Sequence, residues 1–101
     1  MHRTGECEDL VAFARALGDA TRLRLVLLLA EQRPGQALCV HALAHRLGVS
    51  QPAVSQHLAV LRDLGLLHAE RSGVRTHYTL DRERLAEYRS LLDVLLDKER
   101  D

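Results

Sequence analysis

The chain has 101 residues, of which 47% are hydrophobic, 28% are charged and 3% are aromatic. This length suits one small domain, which excludes a large α/β enzyme, and the balance of apolar and charged residues is typical of a folded chain rather than a disordered one. Basic and acidic residues number fourteen each, so the formal net charge is +0. Total charge therefore gives no sign of a nucleic-acid or membrane partner.

The composition predicts a single domain over residues 1–101, in which residues 1–7 form a flexible N-terminal arm. No apolar run approaches the roughly 18 residues that cross a bilayer, and the start MHRTGECEDL has no apolar core of a secretory signal. Two distant cysteines do not make a disulfide framework, so we expect reduced thiols in a cytoplasm and no membrane partner. A chain this short buries about two thirds or less of its unfolded surface, which favours a homodimer.

Helical periodicity of apolar residues predicts five helices. In chain order they cover residues 8–17, 21–31, 39–47, 51–64 and 82–99. Gly18, Gly48 and Gly65 follow three of them, as helix-ending residues do. Ser50 is a suitable N-cap for the fourth helix, and Pro52 lies in its first turn, where a missing N–H costs nothing. The last helix carries a wide leucine-rich face, which indicates a contact with a second subunit.

Two short segments, 66–71 and 74–80, surround Ser72-Gly73 and predict a β-hairpin. Two short helices joined at 48–50 and followed by a hairpin are the order of a winged helix-turn-helix. The predicted fold class is therefore mainly α, with five helices and a two-stranded hairpin as the wing. The second helix of such a pair can lie in the major groove of DNA.

The fourth helix has an apolar stripe of Val54, Leu58 and Leu61, and its opposite side has short or amide side chains, with neither Glu nor Lys between residues 51 and 60. Glutamine can bond adenine at N6 and N7, and serine can donate or accept, whereas a merely solvated helix usually carries Glu and Lys. Residues 44–80 hold four arginines and two acids, so the middle of the chain is its positive part. The predicted DNA contacts are Ser50, Gln51, Ser55, Gln56 and Arg62 on the helix-turn-helix and Arg71, Arg75 and His77 beside the wing turn.

Two other interpretations of this helix stay open, a neutral surface helix and a helix that binds protein. An enzyme is not expected, because the chain shows no Ser/His/Asp order, no Gly-rich phosphate loop and no paired carboxylates.

Four stretches of the chain resemble the ArsR/SmtB family of metalloregulatory repressors. They are ALGDATRLRL at 16–25, LCVHALA at 38–44, GVSQPAVSQHLAVLR at 48–62 and HYTL at 77–80. The resemblance implies a winged-helix homodimer joined through its first and last helices and bound to an inverted-repeat operator in double-stranded DNA. It also implies repression of a metal-resistance or homeostasis operon, relieved when an inducer metal ion binds.

The resemblance also implies a sensor site, because family members commonly carry Cys-Val-Cys where this chain has Cys39-Val40-His41. A thiolate and an imidazole suit Zn, Co, Ni, Cd or Pb as a divalent cofactor. Some relatives complete the site from the N-terminal segment of the other subunit, where this chain offers Cys7 and His2. The candidate metal ligands are thus Cys39, His41, Cys7 and His2.

Several alternatives to this sensor stay open. Cys39 can be a half-buried apolar residue and His41 an ordinary surface residue. The family's second site, across the paired last helices, is not expected because the matching positions carry Arg82, Arg84, Leu95 and Lys98. A thiol-based sensor, a regulator that works with a partner protein, or one without its own inducer are the remaining possibilities. The other histidines, His45, His57, His68 and His77, are interpreted as surface or DNA-proximal residues.

Overall fold

A computed structural model describes residues 3–33 and 37–98 of the chain. Its elements are α1 (Arg3–Leu17), α2 (Ala20–Ala30), β1 (Leu38–Cys39), α3 (Val40–Leu47), α4 (Gln51–Asp63), β2 (Leu67–Ser72), β3 (Arg75–Leu80) and α5 (Arg82–Lys98). Among these residues, no helix combines the length and the apolar character that crossing a bilayer demands. The first helix begins earlier than predicted, so residues 3–7, which were predicted as an arm, are helical.

The turn between α3 and α4 forms because three residues favour it locally. Gly48 ends α3 with a φ of 70°, a left-handed conformation that costs glycine nothing. Its N–H bonds the Ala44 carbonyl oxygen at 2.9 Å. The Ser50 hydroxyl then accepts the Ala53 N–H at 3.3 Å, and Pro52 lies in the first turn of α4. The predicted cap and turn are confirmed, and they fix the direction in which α4 leaves α3.

The core fills the space enclosed by α2, α3, α4 and the sheet. The predicted apolar stripe of α4 is buried, with Val54, Leu58 and Leu61 between 0% and 1% exposed. They share one cluster with buried leucines of α2 and α3, with Leu66 and with Tyr88 of α5. Because the stripe is buried, the opposite face of α4 is the one that remains in solvent.

The wing belongs to a three-stranded antiparallel sheet with strand order β1-β3-β2. The predicted two-stranded hairpin is present, and β1 adds a third strand by pairing Leu38 with Tyr78 and Cys39 with His77. Cys39 was predicted as the first residue of the third helix, but its backbone is extended and it lies at the N-cap position of α3, without a side-chain capping bond. A strand of two residues is too short to show the alternation by which strands are recognised.

The last helix is joined to the end of α4 by two side chains. Arg84 donates from Nε to the Leu64 carbonyl oxygen at 2.9 Å, and the Tyr88 hydroxyl donates to the same oxygen at 3.2 Å. The Tyr88 ring stacks on Phe13 of α1 with centroids 4.2 Å apart. Burial raises the pKa of the Tyr88 hydroxyl, and the Arg84 guanidinium opposes that rise. Helices α1 and α5 are thus fixed to the C-terminal end of α4.

Candidate nucleic-acid interface

The solvent-facing side of α4 carries the amide and hydroxyl side chains that were predicted to contact bases. Gln51, Ser55 and Gln56 are all exposed, and so is Arg62 near the end of the helix. The first turn of α4 contains no acidic residue. This side therefore offers donors and acceptors of the kind that read base edges, and a cation lies further along the same helix.

The wing presents its two arginines on opposite faces of the hairpin. Pairing joins Arg71 with Thr76 and Ser72 with Arg75. Side chains alternate along a strand, so Arg75 and His77 lie on one face of β3, while Thr76 and the buried Tyr78 lie on the other. Arg71 shares the second face. Both arginines are exposed, so the tip of the wing offers a cation on each side.

His77 differs from the two arginines in its surroundings. It is half-buried and directly opposite Glu70 of β2. The two residues line a shallow depression of about 250 Å³ together with Ala37 and Ser72. A carboxylate and an imidazole thus face each other across the two strands of the wing.

A crevice lies between the start of α3, the start of α4 and the wing. Its volume is about 430 Å³, and Cys39, His41, Gln51 and Arg75 are among the residues that line it. Inside it, Gln51 Nε2 lies 3.0 Å from His41 Nδ1. Two residues predicted for DNA and two predicted for a metal therefore border the same space, which the sequence alone did not indicate.

Arg22 of α2 links its helix to α1 and α4, and it was not among the residues predicted from the sequence. Its guanidinium lies 3.2 Å from His57 Nδ1 of α4 and donates from Nε to the Ala16 carbonyl oxygen of α1 at 2.8 Å. Its backbone N–H is accepted by Asp19, the N-cap of α2, and this bond lowers the pKa of the Asp19 carboxyl. His57 is half-buried and joins α4 to the α1–α2 junction rather than facing solvent. In the sequence, the only sign of this contact is that His57 lies beside the apolar stripe of α4.

The predicted metal ligands occupy different environments in one protomer. Cys39 is 9% exposed, whereas His41 on α3 and Cys7 on α1 are exposed, and His2 lies outside the described residues. Within residues 3–33 and 37–98, no three His, Cys, Asp or Glu side chains lie close enough to hold a metal ion. Cys39 and His41 fit a borderline or soft cation in donor type, but a complete site needs ligands beyond this pair.

Comparison with known proteins gives a consistent result. Residues 19–69 match the family described as bacterial regulatory protein, arsR family. The arsenic resistance transcriptional regulator ArsR1 of Pseudomonas putida is 46% identical over 69 residues, which are 68% of this chain and 52% of that protein. The transcriptional repressor SmtB of Mycobacterium tuberculosis is 43% identical over 72 residues, covering 71% of this chain and 50% of that protein. The match thus spans about half the length of these relatives.

A solved structure supports the fold as well. An ArsR-like transcriptional regulator from Rhodococcus sp. RHA1 superposes with a TM-score of 0.78 at 27% identity, over 95% of this chain and 88% of that one. The predicted winged helix-turn-helix is confirmed. On these matches and this architecture, the chain belongs to the arsR family of bacterial regulatory proteins.

Proposed function

We propose that this protein is a transcriptional repressor that binds an inverted-repeat operator as a homodimer in the bacterial cytoplasm. The observation that carries the proposal is the exposed side of α4, which presents Gln51, Ser55 and Gln56 and has no acid before Asp63, the last residue of the helix. Ser50 at its N-cap and Arg62 near its end are the proposed phosphate contacts, because helix N-termini and arginines commonly bind phosphates. Arg71, Arg75 and His77 of the wing are the further proposed contacts.

The homodimer is supported by apolar side chains left in solvent on α1 and α5. Val11 is 47% exposed, Leu92 45% and Leu96 64%. Helices α1 and α5 pack against each other within one protomer, so a second copy would cover both at once. Such a dimer presents two copies of α4 to successive major grooves, about 34 Å apart.

The inducer that we propose is a divalent cation of the Zn, Ni, Co, Cd or Pb group, held by Cys39 and His41. The exposed Cys7 of the other protomer and His2 are the proposed additional ligands. The arsenic-resistance name of the Pseudomonas relative supports a metal or metalloid signal. Cys39 is at the N-cap of α3 and lines the same crevice as Gln51 at the start of α4, so a ligand bound there would act on the position of α4. A coupling of about 1–3 kcal/mol changes operator affinity by roughly an order of magnitude.

The test is a gel-shift titration on an operator selected from random duplexes, with and without each of the five metals. Wild-type protein should bind, and at least one metal should weaken the binding at least about fivefold. Cys39→Ser should bind the operator as tightly as wild type and lose the response to metal, whereas Ser90→Ala, a control on α5, should keep both. An operator affinity that is the same with and without each of the five metals would contradict the inducer proposal.

Salt dependence separates a DNA-binding protein from a module that binds another protein. Contacts from arginines to phosphates release counterions, so the logarithm of affinity should fall linearly with the logarithm of salt concentration. Arg62→Ala and Arg75→Ala should each reduce that slope by about one. A protein that ignores duplex DNA at low salt would overturn the proposed function.

A further inference from the structure

The crevice between α3, α4 and the wing contains a hydrogen bond that connects the candidate base-reading surface to a residue on another helix. Gln51 is the first residue of α4, and His41 is in the first turn of α3. Gln51 Nε2 lies 3.0 Å from His41 Nδ1. For the amide to donate, His41 has its proton on Nε2 and uses Nδ1 as the acceptor.

This bond leaves Gln51 with the groups that an adenine requires. A glutamine amide has two N–H donors and one carbonyl oxygen. Adenine presents N7 as an acceptor and N6–H as a donor in the major groove, and a glutamine reads it with one N–H and its oxygen. When His41 takes one N–H, the second N–H and the oxygen remain, and the bond determines which edge of the amide is turned away from α3.

We propose that His41 is a positioning residue for base recognition: it holds the Gln51 amide in one orientation and so contributes to sequence specificity without contacting DNA. The inference rests on the proposed DNA-binding function and deepens it. An unrestrained glutamine can rotate its amide and offer donor and acceptor in either order, which removes the distinction between adenine and other bases. The bond is exposed at both residues, so its loss should change base preference rather than folding.

The neighbouring side chains support this role. Arg75 of the wing lines the same crevice, and a guanidinium has no acceptor to offer the Gln51 amide. Cys39 also lines the crevice but is 9% exposed, and a thiol is a weak acceptor. The crevice is also lined by two residues with hydroxyl groups that can accept a hydrogen bond, Thr76 and Tyr78. The partner that the Gln51 amide has in the structure is the His41 imidazole.

The experiment measures base preference at every operator position for metal-free protein in chelator, using a selected operator and all its single-base substitutions. His41→Ala and His41→Phe should both reduce discrimination at one symmetric pair of positions by about three- to tenfold. His41→Asn should restore much of it, since the Asn oxygen occupies the place of Nδ1 in the side chain. His45→Ala, which removes an imidazole one turn later on α3, is the matched control and should retain the wild-type preference.

A double-mutant comparison shows whether His41 acts through Gln51. Gln51→Ala should flatten preference at the same pair of positions, and His41→Ala should add no further loss in that background. Unchanged preference in His41→Ala, or a full additional loss in the double variant, would overturn the inference while leaving the proposed function intact. If wild-type protein shows no sequence preference at all, both proposals fall.

Discussion

At the scale of single residues, Gln56 and Ser55 allow DNA binding to be separated from folding. Both are exposed on α4, so truncation should leave the free energy of unfolding within about 0.5 kcal/mol of wild type. We predict that Gln56→Ala weakens operator binding about tenfold, because a bidentate contact to a base is lost. Fluorescence anisotropy and urea unfolding measure the two effects. Ser55→Ala should also weaken binding, whereas an equal loss in Ser90→Ala would contradict this assignment.

Tyr88 gives a second prediction at this scale. Its hydroxyl donates to the Leu64 carbonyl oxygen and accepts from Arg84, so Tyr88→Phe should cost about 1 kcal/mol in urea unfolding while the ring stacking remains. Burial raises the Tyr88 pKa above its ordinary value of 10.0. The contribution of this raised pKa to the free energy of unfolding is fully present below pH 10 and is lost as the pH rises through the raised pKa.

The Phe variant should therefore lose less stability than wild type between neutral and strongly alkaline pH. Tyr78→Phe is the matched control, and it should keep the alkaline loss that Tyr88 causes. Identical alkaline unfolding of wild type and Tyr88→Phe would show that this hydroxyl is not held protonated by the fold.

Single residues were predictable from the sequence where their role is local. Ser50 and Gly48 act on neighbours within a few positions, so cap and turn rules were enough to find them. His57 was interpreted as a surface or DNA-proximal residue, yet it is half-buried beside Arg22. The two residues lie 35 positions apart in the chain, and only the packing of α2 against α4 brings them together. The bond between His41 and Gln51 was missed for the same reason.

At the scale of elements, the turn between α3 and α4 depends on one backbone conformation. Gly48 has a φ of 70°, which a residue with a Cβ adopts at a cost of about 1–2 kcal/mol. Gly5 lies inside α1, where an added Cβ would meet nothing within 4 Å. Gly48→Ala should thus destabilise the protein, and Gly5→Ala should be neutral or stabilising by about 0.5 kcal/mol. Thermal unfolding of the two variants measures whether their changes in stability have these signs.

A stabilising Gly48→Ala would mean that the α3–α4 turn relaxes away from the left-handed region. In that case the direction of α4 would not be set by this residue.

The five helices and the hairpin were predictable because each carries its own periodic pattern of apolar residues. The boundaries of these elements were less predictable than their existence. Residues 3–7 have few apolar side chains, so the beginning of α1 at Arg3 left no signal. Strand β1 is defined entirely by its partner β3, and a two-residue segment before a helix looks like part of that helix. Elements created by tertiary pairing are the ones that local patterns do not reveal.

At the scale of the whole molecule, the shape of the protomer favours association. The radius of gyration is 15.1 Å and the longest extent is 51 Å, whereas a compact domain of this length has a radius of about 13 Å. An elongated chain buries less apolar surface of its own, in agreement with the exposed residues on α1 and α5.

We predict that Leu92→Glu converts the proposed dimer to a monomer. A carboxylate in the centre of an apolar contact has no partner and costs several kcal/mol on burial. Because Leu92 is 45% exposed in the protomer, the variant should still fold, with an unchanged far-ultraviolet circular dichroism spectrum. Sedimentation velocity should show the monomer, and operator affinity should fall with it.

Val74→Glu is the matched control for this experiment. Val74 is 94% exposed at the tip of the wing, so the same change of charge should leave dimerisation intact. Dimeric Leu92→Glu protein would place the subunit contact elsewhere on the surface.

The pairing of Cys39 in β1 with His77 in β3 has a thermodynamic consequence for the proposed regulation. One backbone ladder contains both the candidate inducer ligand and the wing, so under the proposed function a cation that moved Cys39 would also change the tilt of the wing against α4. Coupling between two binding events is reciprocal. Operator-bound protein should then hold the cation more weakly than free protein by the same factor, so the promoter-bound molecules would be the last to respond as the metal concentration rises.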